Sequence, residues 1–494
     1  MTLPTTNAAL ADRYDSVPYV TIPHRMTHPD RLASTARFMG VDVARVADAH
    51  VLEVGCGDGT NLIPMAAAMP AATFVGCDLS ARALAVGRAT IAALGLSNIE
   101  LLQEDLRALP HAHSDFDFII AHGVYSWVPQ DVRDGLFQLA NARLARAGIL
   151  YVSSNTLPGS RVRQAASEIL RAHVDPLADP RSKLSSAREL ARIIADGRSF
   201  HASDDALRAE FRAIAQSSDS ELFHDTLAVI NDAFWFRDFA AHAARHGLRH
   251  LAEVDLHSMS AVSLSTQARR FLSALDAGAR EQYLDFIRLR RFRQSLLCRI
   301  DAPLDPAPLA ERLARMHVSA DRALIQAVSN GKLDDIVRQV DPFADASALR
   351  ELFETVAQQS PAAVSVAALR EQFASRRVTK PFEAFIADAC VSNLLILHVH
   401  PPPVLPVPGE RPRASALARY EAATRDELTS LLHTRVRVPD AKVRRLVTLL
   451  DGSRDRAALV AQLNGPEFAY QRDAALRFID RALVQLARLG LLEG

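Results

Sequence analysis

Val51-Leu52-Glu53-Val54-Gly55-Cys56-Gly57-Asp58-Gly59-Thr60 is the stretch whose reading decides the fold. Val51 to Val54 reads as a buried parallel strand, the chain then breaks into a loop with glycine at every second position, and Leu62-Ile63-Pro64-Met65 opens a helix. A strand, a glycine turn and a helix in that order form a nucleotide-binding turn. Glycine admits positive φ and lets a ligand approach bare backbone, while N–H groups at the helix start favour an anionic group such as a carboxylate. A dinucleotide fingerprint needs G-x-G-x-x-G, and a phosphate-binding loop needs a Lys-Ser/Thr pair after its last glycine. The spacing Gly55-x-Gly57-x-Gly59, preceded by Glu53, meets neither requirement.

The same alternation continues downstream. Thr73-Phe74-Val75-Gly76-Cys77 ends in Asp78-Leu79-Ser80, where a carboxylate can accept both hydroxyls of a ribose. Ile99 to Leu102 leads to Glu104-Asp105-Leu106, and Phe116 to Ile120 runs into Ala121-His122-Gly123-Val124-Tyr125-Ser126-Trp127-Val128-Pro129. A fifth strand, Gly148 to Ser153, ends at Asn155-Thr156-Leu157-Pro158-Gly159. Strands separated by helices, each with polar residues at its carboxyl end, predict an α/β doubly wound, Rossmann-like sheet that binds its ligands along that edge.

With Glu53 before the glycines and Asp78 after the second strand, the chain resembles the class I S-adenosylmethionine-dependent methyltransferases. The resemblance implies S-adenosylmethionine as cofactor, bound around Glu53, Gly55, Cys56, Gly57, Asp58, Gly59, Asn61, Asp78, Leu79 and His122, with the adenine amine met at Asp105 and Leu106. The Cys56 thiol itself reads as a small packing group. A narrower likeness rests on Cys56 to Met65, Ala121 to Pro129, Ser154 to Gly159 and the aromatic-rich segment 221–254. These are similar to bacterial methyltransferases with an appended regulatory region, best known as the rickettsial protein-lysine methyltransferases that act on outer-membrane protein. That likeness implies a protein partner with accessible lysines, though family members need not share substrates.

At 494 residues the chain is too long for a single ordinary core. Lys+Arg and Asp+Glu number 57 each, which removes a bulk electrostatic argument for nucleic acid or an anionic membrane. The positive charge is almost all arginine, since the lysines are Lys183, Lys332, Lys380 and Lys442. Cys56, Cys77, Cys298 and Cys390 have no C-x-x-C spacing, so neither a disulfide framework nor a zinc centre is expected from them. With no basic region followed by an apolar core at the amino end, and no apolar run near eighteen residues, the expectation is a soluble, cytoplasmic protein.

Residues 1–50 read as a lid and a helix, with Tyr14, Tyr19 and His28 as lid candidates or ordinary packing groups. Residues 51–300 hold the methyltransferase core, with a helical insertion at about 160–220 and a regulatory segment at about 221–300. Leu248 to Val254 is read as the sixth strand, and Tyr283 to Gln294 as an amphipathic helix with a solvated basic edge. Residues 301–400 suggest a winged-helix-like middle domain without a DNA-reading surface. His398 and His400 alternate there with no other ligands nearby in sequence, so no metal is assigned. Pro401 to Gly409 reads as a stiff linker, and residues 413–494 as a helical terminal domain.

His122, Tyr125, Trp127 and Asn155 fall at the carboxyl ends of strands four and five, where a methyl acceptor must sit. Tyr125 and Trp127 are candidate aromatic walls for a methylammonium, and His122 a hydrogen-bonding group or a proton acceptor through water. Each also has a plainer reading: core cover for Trp127, an adenine wall for Tyr125, loop ordering for His122. Three functions remain open at this point: a lysine-directed protein methyltransferase acting before export, an enzyme for a small metabolite or natural product whose added domains gate it or make a homodimer, and a regulator that binds the cofactor without turnover.

Overall fold

The computed structural model describes residues 15–17, 19, 21–43, 45–109, 115–199, 201–340, 346–375, 380–463 and 472–494. Its centre is a mixed sheet in the order β3-β2-β1-β4-β5-β8-β7. The parallel strands are β1 (His50–Val54), β2 (Thr73–Asp78), β3 (Ile99–Gln103), β4 (Phe116–Ala121) and β5 (Leu144–Thr156). The short β6 (Ala233–Phe234) lies beside the end of β5, and β7 (Leu248–Glu253) and β8 (Phe292–Arg299) close the edge. Strand order reverses between β1 and β4, which is where a doubly wound sheet binds its ligand.

Successive residues of a strand point to opposite faces, and the apolar runs of β1 and β4 fill both. Val51, Phe118 and Ile120 pack with Leu32, Leu62 and Met65 on one side; Leu52, Val54 and Ile119 pack with Leu136 and Phe137 on the other. The helices concerned are α1 (Pro29–Phe38), α2 (Leu62–Ala68), α3 (Ala81–Leu94) and α4 (Gln130–Arg143). Ser80 caps α3 by accepting the Ala83 N–H, and Gly95 ends it at φ 64°. The insertion is α5 (Arg161–Val174), α6 (Pro180–Ala195) and α7 (Ala202–Gln216), which share an apolar core around Leu170, Ala187 and Phe211. Beyond them lie α8 (Phe236–Arg245), α9 (Thr266–Ser273) and α10 (Ala277–Arg288).

The helix expected to run through Gln294 ends six residues earlier, at Arg288. Leu289 takes a left-handed conformation at φ 48°, and the chain turns into β8, antiparallel to both β5 and β7. The basic edge is correspondingly divided: the Arg291 side chain stays 50% exposed, while Arg288, Arg290 and Arg293 turn inward. Arg293 has a side chain only 2% exposed, paired with Glu253 at 2.6 Å and Asp285 at 2.8 Å. Arg290 joins Asp285 at 2.9 Å, and Arg288 is spent on the carbonyls of Ser258 and Ser260.

Gly159 is fixed by that same turn. A Cβ on it would lie 2.1 Å from the Leu289 carbonyl oxygen and 2.5 Å from that of Arg290, and neither backbone atom can swing aside. Gly159→Ala is expected to lower stability by roughly 1–3 kcal/mol or more. Gly278→Ala, where the nearest atom is Asp276 Oδ1 at 3.5 Å, is expected to leave it unchanged or slightly raised. Denaturant midpoints of the two variants check the contrast.

The middle region is built on an antiparallel sheet of β9 (His317–Ala320), β10 (Val364–Ser365) and β11 (Leu395–His398), with helices at 322–329, 346–359 and 382–391 packed on it. It is latched to α1 through Asp30, which lies 2.7 Å from His398 Nδ1 and accepts the N–H groups of Val399 and His400. His398 Nε2 is 2.9 Å from Ser319 Oγ, so both its nitrogens are engaged by protein. The carboxyl-terminal region is not purely helical. After a helix at Ala416–Ala422 come β12 (Glu427–Thr429) and β13 (Arg435–Arg437), and helices resume at 441–449, 456–463 and 472–488. Glu427-Leu428-Thr429 and Arg435-Val436-Arg437 alternate polar and apolar residues, as a half-buried hairpin does. No described helix is long and apolar enough to cross a membrane.

Candidate functional site

The glycine turn owes its shape to bonds within itself and to the end of β2. Gly55, Gly57 and Gly59 sit at φ 70°, 56° and 73°. The N–H groups of Gly55 and Cys56 go to the Cys77 carbonyl, that of Gly57 to Asp78, that of Gly59 to the Cys56 carbonyl and that of Thr60 to Asp58. The sequence suggested a row of donors for an anion; these five are instead committed to the loop, so the turn offers a preshaped concave backbone. The Cys56 thiol packs where Gly76 leaves room, 2.7 Å from the position of a Cβ there, and burial pushes its pKa up.

Glu53, 4% exposed, is the buried acid of the site. Its Oε1 accepts the Asn61 amide at 2.8 Å, while its Oε2 is buried without a hydrogen-bond partner. Burial, opposed by the Asn61 bond and reinforced by the charges of Asp78 and Asp58, raises its pKa from 4.5 to about 8. An orphaned buried acceptor is costly unless a donor reaches it. A cationic ligand group with an N–H fits that vacancy of bonding, so the residues fit the cofactor that the resemblance implies.

Asn61 joins three parts of the chain. Its Oδ1 accepts the His24 N–H at 2.8 Å and lies 2.9 Å from His433 Nε2, and its Nδ2 donates to Thr27 Oγ1 as well as to Glu53. Thr21 donates to Asp58 at 2.6 Å, so residues 21–27 lie across the glycine turn as a lid segment should. Of the lid candidates, Tyr14 lies outside the described residues. Tyr19 meets His224 edge-on at 5.4 Å, and His28 caps α1 with its ring 5.4 Å from His433. Thr21, His24, Thr27 and His433 were missed from sequence, and no local pattern marks them.

Asp78 holds the turn closed, accepting Gly57 N–H on Oδ2 and Ser80 N–H on Oδ1, both at 2.8 Å. Each carboxylate oxygen keeps a second lone pair, so two hydroxyls can still be accepted. Leu79 follows it, half-buried, before the α3 cap. Asp105 caps the short turn Leu106–Ala108 and takes Arg107 on both oxygens, while Leu106 packs toward Gly135.

On the acceptor side, His122 stacks on His24 with ring centroids 3.8 Å apart. Burial lowers the pKa of His122 to about 3 and that of His24 to about 4. Tyr151 accepts from Gln294 Nε2 at 2.9 Å, and its hydroxyl lies 2.9 Å from His122 Nδ1. Burial thus keeps His122 neutral, a hydrogen-bonding group at the acceptor edge. Tyr125 is 2% exposed, ringed by Phe137, Phe234 and Phe239, with its hydroxyl 2.7 Å from His242 Nδ1. It is a core residue with no face free for an acceptor. Trp127 is half-buried in the turn after β4. Asn155 sits between Ala233 and Phe292 in the ladder and donates to Asn231 at 2.9 Å. Phe292, 45% exposed, stands edge-on to His122 at 6.3 Å and was missed because its segment was read as helix.

Comparison with known proteins agrees with this arrangement. Residues 51–148 match the model of a methyltransferase domain, 218–299 that of a predicted methyltransferase regulatory domain, and 410–466 that of the PKMT carboxyl-terminal winged-helix domain. The winged-helix match thus falls after the linker, in the region expected to be a helical domain. An uncharacterized Rickettsia prowazekii protein, RP789, is 35% identical over 59% of this chain and 53% of its own length. A second, RP028, is 31% identical over 47% of this chain and 94% of its own length. The structure of PKMT2 from Rickettsia typhi superposes with a TM-score of 0.79 at 24% identity, over 97% of this chain and 100% of that one, which shows a shared fold. The same protein in complex with AdoHcy gives 0.77 at 23% identity. With the acid, the glycine turn, the reversal of strand order and these matches together, the chain belongs to the S-adenosylmethionine-dependent methyltransferases that carry a methyltransferase regulatory domain.

Proposed function

We propose that the protein is an N-methyltransferase for lysine side chains of a protein, acting in the cytoplasm on a surface-destined or outer-membrane polypeptide before export. The observation that carries the protein acceptor is the open aromatic surface beside the acceptor edge. Phe292 borders His122, and Trp235, Phe286, Tyr283 and Phe271 follow one another at centroid distances of 5.6, 5.2 and 5.0 Å. Phe292, Phe286, Tyr283 and Phe271 are 37–46% exposed and Leu289 is 66% exposed, a surface suited to a polypeptide rather than to an enclosed metabolite. The resemblance to lysine methyltransferases and the shared fold with PKMT2 support the same reading.

Bound S-adenosylmethionine supplies an electrophilic methyl group. Glu53, Asp78 and the turn 55–59 would hold it, and the chain's own task at the acceptor is to orient a neutral amine and exclude water. A free lysine, with a pKa of about 10.4, arrives protonated. Neither His122 nor His24 can take that proton at neutral pH, so it leaves to solvent as the amine is desolvated near a positive charge. His122 and Asn155 then serve as positioning groups.

The test is incubation of the purified protein with methyl-labelled S-adenosylmethionine and a lysate of its source. Label on lysine in acid-precipitable protein is expected. Label confined to small molecules would replace the protein acceptor by a metabolite, and cofactor binding without any label would point to a regulator.

A further inference from the structure

Two imidazoles and a carboxylate converge where α4 passes α8, away from the glycine turn. His242 lies in the last turn of α8 and His246, four residues on, is the residue that caps its carboxyl end. His242 Nε2 is 2.7 Å and His246 Nε2 3.8 Å from Asp134 Oδ1, and the three ligand atoms lie within 4.8 Å of one another. Zinc bonds of about 2.0–2.2 Å in a tetrahedral site place ligand atoms roughly 3.2–3.6 Å apart, so shifts below an ångström close this set around an ion.

The outer contacts are those of a ligand set. His242 is 4% exposed, and the Tyr125 hydroxyl, 2.7 Å from its Nδ1, fixes the ring so that Nε2 faces Asp134. Ligating histidines characteristically have such a partner on the other nitrogen. The side chains of His246 and Asp134 are 18% and 39% exposed, which leaves an entry path and room for water as a fourth ligand. A hydrogen-bond chain Tyr125–His242–Asp134 would account for two of the three groups. It does not account for His246, whose 3.8 Å separation from Asp134 exceeds hydrogen-bond reach.

We propose that Asp134, His242 and His246 form a zinc site that clamps α4 to α8 and, through Tyr125, steadies the turn carrying His122 and Trp127. Two imidazoles with a single carboxylate suit Zn²⁺ and disfavour Mg²⁺ and Ca²⁺, which take oxygen ligands.

The test uses the full chain, free of any polyhistidine tag and stripped with a chelator. Titration with Zn²⁺ against a chromophoric chelator is expected to show one equivalent bound at micromolar strength or tighter, and Co²⁺ to give the visible absorption of a four- or five-coordinate ion. His246→Ala and Asp134→Asn are each expected to weaken Zn²⁺ at least ~10-fold with unchanged circular dichroism. Absence of stoichiometric binding, or equal binding by the parent and a folded His246→Ala, would overturn the proposal.

Discussion

Replacing Arg293 by methionine is expected to cost the fold about 3–5 kcal/mol, because it strands buried carboxylates rather than merely deleting a contact. Glu253 and Asp285 are 2% and 0% exposed at the side chain, and Glu281 adds a third acid at 3.1 Å. Burial alone would raise the Glu253 pKa, but the charge of Arg293 and the His250 bond hold it well below the usual carboxylate range. Its ionised form also accepts Ser295 Oγ–H and the Gln294 N–H, so protonation on losing Arg293 breaks the seating of β8 against β7 as well. Denaturant unfolding measures the loss. The double variant Arg293→Met, Glu253→Gln is expected to recover part of it, since a buried charge pair is dearer broken than absent. A cost below about 1 kcal/mol for the single variant would contradict the cluster as described.

The second large effect concerns Glu53. With its pKa raised to about 8 in the free protein, it is mostly protonated at neutral pH. A cationic group of the cofactor that pairs with the carboxylate lowers that pKa, so binding releases a proton below pH 8. Affinity is then highest above about pH 8 and falls with decreasing pH, by up to tenfold per unit, down to the pKa of the complex. Glu53→Gln fixes the protonated charge state. It is expected to bind the cofactor weakly at pH 8.5 and to lose the pH dependence. Calorimetry in buffers of different ionisation enthalpy counts the proton directly, and a proton count of zero at pH 7 would remove the pairing. The same shift acts on folding with the opposite slope. A carboxyl raised from 4.5 to about 8 stabilises the ligand-free fold below pH 4.5, and that contribution is lost as pH rises to 8, at most ~1.4 kcal/mol per unit.

What was legible in the sequence was local. The alternation of apolar runs with glycine turns around Val51–Gly59 and Thr73–Asp78 writes strand, loop and helix into neighbouring residues, and the acids at the strand ends follow from that register. Arg293 was not legible. Its pattern of charge beside apolar residues fits a solvated helix edge as well as a buried strand, and only Leu289 turning left-handed separates the two. Tyr125 sits in a segment that reads as an acceptor wall because its turn is on the ligand edge, yet its ring is held by Phe239 and His242, more than a hundred residues away. Asp30 with His398 and Asn61 with His433 span 368 and 372 residues, and such contacts leave no periodic trace.

The contact between Asn61 and His433 also orders events during synthesis. The glycine turn and the parallel sheet leave the ribosome first, and the 372 residues separating Asn61 from His433 take roughly 20–75 s to follow at 5–20 residues per second. Until then the amide that orients Glu53 lacks the imidazole beside it. A nascent chain therefore carries the nucleotide sheet before the imidazole that braces Asn61 beside Glu53 has been made.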